Sequence, residues 1–159
     1  MSEARLLISW YSVTGLNAAL ARAADAGARG VAGCRVRRRP AHRTRVEDLA
    51  WASGYLFVAP ENFGQLSGGL RLMFERCFYP LETALQGRPY ALIVGCGNDG
   101  RGAVRDVDRI CAGWRLRPVA EAMIWRGGAD MPAAQLREGR AQARELGAAL
   151  AEGLAGGIF

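Results

Sequence analysis

Lysine is absent from this chain of 159 residues: all 21 basic side chains are arginine. That rules out Schiff-base chemistry on a protein amine and a lysine clamp on phosphate. Histidine is nearly absent, with His42 standing alone. The four cysteines, Cys34, Cys77, Cys96 and Cys111, are far apart and form no Cys-x-x-Cys pair. This argues against a zinc site and a Cys/His hydrolase; no metal is expected, and the thiols read as reduced and mostly buried. No apolar run nears the roughly 18–20 residues of a spanning helix, so no membrane partner is expected. No basic segment leads into an apolar stretch and a small-residue cleavage site, so a cytoplasmic protein is expected.

What is present suits one domain over residues 1–159. The composition is 50% hydrophobic and 23% charged, the balance of a chain that buries a core and not of a disordered tail. The formal net charge is +6. Much of the excess lies in Arg35, Arg37, Arg38, Arg39, Arg43 and Arg45. No aromatics are interleaved there, so base stacking is unsupported and no nucleic-acid partner is expected. The run reads as a solvated loop between elements.

Residues 5–10 form a short, mostly apolar run, the pattern of a strand buried on both faces. Similar runs occupy 55–59, 90–94 and 119–125, and 34–36 is a weak candidate. Helical spacing covers 16–28, 46–52, 66–85, 102–114 and 132–154. Asp130 is available to cap the last helix, with Pro132 in its first turn. Strand and helix alternate without a linker, repeat or low-complexity segment. Such alternation predicts an α/β fold, a parallel sheet with helices on both faces. Ligands of such sheets bind outside the carboxyl ends of the strands, where strand order reverses. The loops after the strands are therefore the candidate site.

The first loop brings Ser12, Thr14, Gly15, Leu16 and Asn17 to the start of a helix. Free N–H groups and the helix dipole favour an anion there, and hydroxyls donate without adding charge. An ordinary capped turn fits the same residues. The second loop opens Pro60-Glu61-Asn62-Phe63-Gly64. An aromatic beside a glycine lets backbone approach a flat ligand, and Asn62 can meet its polar edge; the alternative is a Phe63 tucked into the core. The third loop holds Gly95, Cys96, Gly97, Asn98 and Gly100. Its Gly-x-Gly-x-x-Gly, with Glu121 about twenty residues on, matches a dinucleotide fingerprint. That fingerprint normally opens a unit at its first strand, and here a better phosphate loop stands there. The glycines instead read as letting amides approach a planar ring.

Tyr11-Ser12-x-Thr14-Gly15 ahead of an alanine-rich helix resembles the phosphate loop of the flavodoxin-like family. Pro60-x-x-Phe63-Gly64-x-x-Ser67-Gly68-x-x-Arg71 is more particular. It resembles the flavin loop of the multimeric flavodoxin-like NAD(P)H:quinone reductases, beside the NADPH-dependent FMN reductases. The resemblance implies a three-layer flavodoxin-like fold, with a five-stranded parallel sheet in order 2-1-3-4-5, and one FMN. By position, Ser12, Thr14, Gly15, Leu16 and Asn17 would surround the phosphate. Pro60, Glu61, Asn62, Phe63 and Gly64 would line the ring, and Gly95, Cys96, Gly97, Asn98 and Gly100 would close its other side.

The resemblance further implies an FMN-dependent oxidoreductase that takes hydride from NAD(P)H and reduces a quinone or similar acceptor. It also implies a homo-oligomer, dimer or tetramer. Hydride chemistry would belong to the flavin, in keeping with the lack of a catalytic side-chain cluster, and no residue is assigned a catalytic role. Cys96 is the nearest rival, since a helix N-terminus lowers a thiol's pKa and Cys111 lies one helix on. Two other readings stand: an electron carrier without NAD(P)H oxidase activity, and a flavin-free interaction module. Short electron-transfer flavodoxins are acidic and carry a tyrosine in the third loop; this chain is basic and has no aromatic there. The arginine run gains a second reading, beside the solvated loop, as a contact for the phosphates of NAD(P)H.

Overall fold

The computed structural model describes residues 2–128 and 130–159. In chain order its elements are β1 (Ala4–Trp10), α1 (Leu16–Arg29), β2 (Cys34–Pro40), α2 (Val46–Trp51), β3 (Gly54–Asn62), β4 (Gln65–Leu66), α3 (Gly68–Phe78), β5 (Pro89–Cys96), α4 (Arg101–Gly113), β6 (Arg117–Pro118), β7 (Met123–Arg126) and α5 (Ala133–Ala155). The sheet runs β2-β1-β3-β5, and both β6 and β7 pair with β5 on its far side. These pairings are all parallel. With β6 and β7 taken as one interrupted edge strand, the order is the expected 2-1-3-4-5 of a doubly wound sheet. The sheet counts seven strands, not five, because that edge is split and because β4 is a two-residue antiparallel return on β3.

The central strands are buried because they are almost wholly apolar, and their period of two sorts the side chains. Tyr55 and Phe57 go to one face, Leu56 and Val58 to the other. On the first face α2, α3 and α4 close over an aromatic core. Phe57 meets Phe74 edge-on at 4.9 Å, and Phe78 stacks on Trp114 at 5.5 Å. On the second, α1 and α5 close over aliphatic side chains such as Leu6, Ile8, Leu20 and Leu150. Glycine lets these two helices cross closely. A Cβ at Gly27 would overlap the Arg144 carbonyl, and one at Gly147 the Ala24 carbonyl.

The first part of the arginine run, Arg35 to Arg39, is a strand and not a solvated loop, while Arg43 and Arg45 lie in the exposed connection that follows it. β2 continues past Val36 through Arg37, Arg38 and Arg39 to Pro40, in register with the whole of β1. Alternation sends its arginines to opposite faces. Arg37 pairs with Asp48 of α2 at 2.7 Å and lies 4.1 Å over the Trp51 ring. Arg39 reaches Asp48 at 3.5 Å, while Arg38 reaches Asp25 of α1 at 3.6 Å. The stems cover the flank of the sheet and the heads find carboxylates at its rim.

Three boundaries also differ from the sequence expectation. The strand expected at 119–125 is interrupted between Pro118 and Met123. α3 stops at Phe78 and gives way to a 3-10 turn, Tyr79–Leu81, because Pro80 has no N–H to continue the helical ladder. α5 begins at Ala133 with Pro132 in the capping position and no side-chain cap, so Asp130 does not cap it. Among the described residues no helix is long and apolar enough to cross a membrane.

Candidate functional site

The loops after β1, β3 and β5 meet at the carboxyl edge of the sheet, where strand order reverses. They enclose a cleft of about 220 Å³. Val13, Thr14, Leu16 and Asn17 line it from the first loop, Pro60, Glu61 and Asn62 from the second, and Gly95, Cys96 and Gly97 from the third. Gly127 and Gly128, just past β7, complete it. A second hollow of about 300 Å³ shares Thr14, Leu16 and Gly128, and adds Gly15, Ala19, Met131 and Leu136. Ser12, Phe63, Gly64, Asn98 and Gly100, expected at the site, line neither. The contributions of Gly127, Gly128, Met131 and Leu136 were not expected. Their one sequence signal is a glycine pair following the last strand, as glycines follow the others.

The start of α1 is built for an external acceptor. Gly15 takes its capping position in left-handed backbone, φ 101°, and no side chain caps the helix. The Gly15 N–H donates to Ser12 Oγ at 3.1 Å, so Ser12 shapes the turn. No acidic residue stands in the first helical turn. Among the described residues the leading N–H groups of the helix are thereby left without a partner, beside the exposed Thr14.

The Asn17 side chain is engaged within the protein, which leaves its main chain to face the cleft. Its buried amide donates to the Gly95 carbonyl at 3.1 Å and accepts from the Gly95 N–H at 2.8 Å. Both ends of the amide are engaged by main chain, and the helix start is clamped to the end of β5. A Cβ at Gly95 would stand 2.8 Å from Asn17 Oδ1, so the clamp requires glycine.

Glu61 lines the cleft, but its carboxylate caps α4. It accepts from the N–H groups of Gly102 at 2.8 Å, Ala103 at 3.2 Å and Gly100 at 3.3 Å. An internal carboxylate thus fills the place a pyrophosphate takes in a glycine fingerprint, which closes the dinucleotide reading of the third loop. The Leu66 N–H adds a second tie to α4, donating to Asp106 at 2.9 Å. The absent Cβ of Gly102 leaves room for the Gly64 carbonyl.

Between these ties β3 and β4 form a hairpin. Glu61 pairs with Leu66 and Asn62 with Gln65, which leaves Phe63 and Gly64 as the turn. Both have positive φ, 54° and 72°, the mark of the type I′ hairpin turn. Phe63 is fully exposed at the tip, not tucked into the core. Left-handed backbone costs a residue other than glycine about 1–2 kcal/mol, and such outliers concentrate at functional loops.

Cys96 is buried and donates to the Asn98 carbonyl at 3.3 Å. Burial pushes its thiol above the usual range, the Glu61 carboxylate adds to this, and the lowering expected at a helix start does not prevail. Burial raises the Cys111 thiol well above its ordinary value too, and both cysteines are free. Neither is an activated thiolate. Among the described residues lining the cleft, Glu61 alone is charged, and its carboxylate is engaged.

A family model described as NADPH-dependent FMN reductase matches residues 12–130. No curated protein matches the sequence. Solved structures do match the fold. A flavodoxin from the domain Archaea superposes with a TM-score of 0.74 at 14% identity, covering 94% of this chain and 98% of that one. A flavodoxin, WrbA-like protein from Agrobacterium tumefaciens gives 0.72 at 13% identity, with 95% and 99% covered. The two-electron reduced flavodoxin of Megasphaera elsdenii gives 0.71 at 20% identity, with 92% and 98% covered.

Proposed function

The chain belongs to the NADPH-dependent FMN reductase family, and from that premise we propose an FMN-dependent oxidoreductase that takes hydride from NAD(P)H and reduces a quinone or similar acceptor. The observation that carries it is the uncapped start of α1 opening on a cleft that, among the described residues, has no free charged side chain. A phosphate monoester fits there, because unpartnered N–H groups and the Thr14 hydroxyl supply donors without a counter-charge. A flat ring fits beside it, between Pro60–Asn62 and the bare backbone at Gly97, where a Cβ would meet nothing within 4 Å.

When bound, FMN supplies the hydride and electron chemistry. The chain's own residues hold and enclose. Leu16 and Asn17 offer main-chain N–H groups to the phosphate. The Asn17–Gly95 and Glu61–α4 clamps fix the spacing of the three loops, so a ligand meets a preformed wall. Cys96 keeps its proton and stays out of electron transfer. A cytoplasmic location and a homo-oligomer, dimer or tetramer, belong to the same proposal. The exposed Phe63 and Val13 beside the cleft favour one second reading, an electron carrier that docks a protein partner there. NADPH oxidation by the purified protein separates the two.

FMN titration tests the cofactor. Ser12→Ala with Thr14→Ala should weaken FMN about tenfold or more, since one removes a donor and the other the turn that presents the N–H groups. A double variant that titrates like the wild type would place the phosphate elsewhere.

A further inference from the structure

A hollow of about 520 Å³, more than twice the volume of the cleft, opens one strand over, past the carboxyl end of β2. Arg39, His42, Arg43, Arg45, Glu47 and Asp48 line it. The chain leaves β2 at Pro40, makes a 3-10 turn over Ala41–Arg43, and enters α2 at Val46. This connection is fastened from inside. The Arg76 guanidinium donates to the Ala41 carbonyl at 3.1 Å and to the Thr44 carbonyl at 2.6 Å. The Ser9 and Thr44 hydroxyls share a buried hydrogen bond of 2.8 Å. With Ala41 and Thr44 held inward, His42, Arg43 and Arg45 are left outward and exposed.

The charges of this hollow are unbalanced. Asp48 is engaged three times: by Arg37 at 2.7 Å, by Arg39 at 3.5 Å, and by the Arg45 N–H at 3.0 Å. Among the described residues the ion pairs of this region are those of Arg35, Arg37, Arg38 and Arg39; Arg43 and Arg45 enter none. Glu47 is the one further carboxylate at the rim. Four guanidiniums, counting Arg37, therefore share two carboxylates around a concave surface, which focuses a positive potential into it. A guanidinium fork matches phosphate oxygens two at a time, and a connection already fixed loses little freedom on binding. The volume is that of a small-molecule site, and among the described residues no phenylalanine, tyrosine or tryptophan lines it as a platform for nucleic-acid bases.

We infer that this hollow binds the phosphomonoester of a small molecule, with Arg43 and Arg45 as its principal contacts. Two sources share that chemistry: a phosphate on the ribose of a nucleotide co-substrate, or free phosphate. The first rests on the oxidoreductase reading; the anion pocket itself does not. Isothermal titration of the full chain at low salt tests it, with 2′,5′-ADP, adenosine and inorganic phosphate as probes. The variants are R43Q/R45Q and a charge-matched control, R35Q/R117Q, on exposed arginines outside the hollow.

The expected result is 2′,5′-ADP binding that falls tenfold or more in R43Q/R45Q and less than twofold in the control. Inorganic phosphate bound as tightly as 2′,5′-ADP through the same two arginines keeps the anion pocket and identifies free phosphate as its ligand. Adenosine bound as well as 2′,5′-ADP, no binding of any probe, or equal loss in both variants overturns the proposal. FMN titration of the same variants should be unchanged, so failure here and failure of the flavin reading are told apart.

Discussion

Past β1, β3 and β5 lies a cleft whose one charged side chain among the described residues is locked onto a helix; past β2, one strand away, lies a hollow lined by three arginines. The first is made largely of main chain. Gly95, Gly97, Gly127 and Gly128 expose it, and Asn17 and Glu61 hold it from behind by bonding backbone N–H and carbonyl groups. The second is made of long side chains standing on a connection that Arg76 and Ser9 fasten. A wall of backbone presents donors at fixed positions with no net charge. A wall of arginines presents charge, and its field weakens with salt.

Alkali should break this structure most. Burial raises the thiols of Cys77, Cys96 and Cys111 above their ordinary pKa of 9.0, and raises the Tyr55 phenol to about 12. Below that thiol value both folded and unfolded chains hold their protons and stability is undiminished. Above it the unfolded chain ionises first, so stability is lost as pH rises through the folded values. Melting temperature should fall progressively from pH 9 upward, by more than any single substitution below; a flat profile to pH 11 would contradict the burial.

Asn17→Ala should cost about 3 kcal/mol, because it strands the buried N–H and carbonyl of Gly95 together. Urea unfolding measures it, and Arg43→Gln, at the other opening, should shift the same midpoint by less than about 0.5 kcal/mol. Glu61→Gln comes next at about 2 kcal/mol, since the neutral amide keeps one acceptor for three N–H donors and loses the charge that favours a helix start. The smallest difference sharpens the contrast within β2. Arg37→Gln should cost about 1 kcal/mol for its half-buried pair with Asp48, whereas Arg35→Gln, whose 3.6 Å pair with Glu3 is exposed, should cost close to nothing. Equal costs would mean that the pairing of Arg37 contributes nothing beyond its charge.

β1, β3 and β5 were legible because runs such as Tyr55–Ala59 have no other way to satisfy themselves than burial on two faces. Glycines and short polar residues likewise marked the three loops, since turn chemistry is local. β2 was not legible. Arg37, Arg38 and Arg39 have the composition of a solvated loop, and what admits them to a strand is distant in sequence: the pairing with β1 and the carboxylates of Asp25 and Asp48 on two different helices. α3 ends sooner than its spacing predicts, because Leu81 and Leu85 continue its period beyond the point where Pro80 ends the hydrogen bonds. The roles of Asn17 and Glu61 were hidden for the same reason as β2. Their partners lie far along the chain, at Gly95 and at Gly102, and spacing carries no trace of them.

The arginines of β2 also bear on how copies of the chain can associate. β2 is an outermost strand, and an outermost strand is a template on which another sheet can add. Here a second β2 laid alongside would bring Arg35, Arg37, Arg38 and Arg39 against their own like charges. The opposite margin is no better suited, being split into the two-residue β6 with its Pro118 and the four-residue β7. Continuous sheets between copies are thus disfavoured at both margins, which leaves helices and loops as the better-suited surfaces for one copy to meet another.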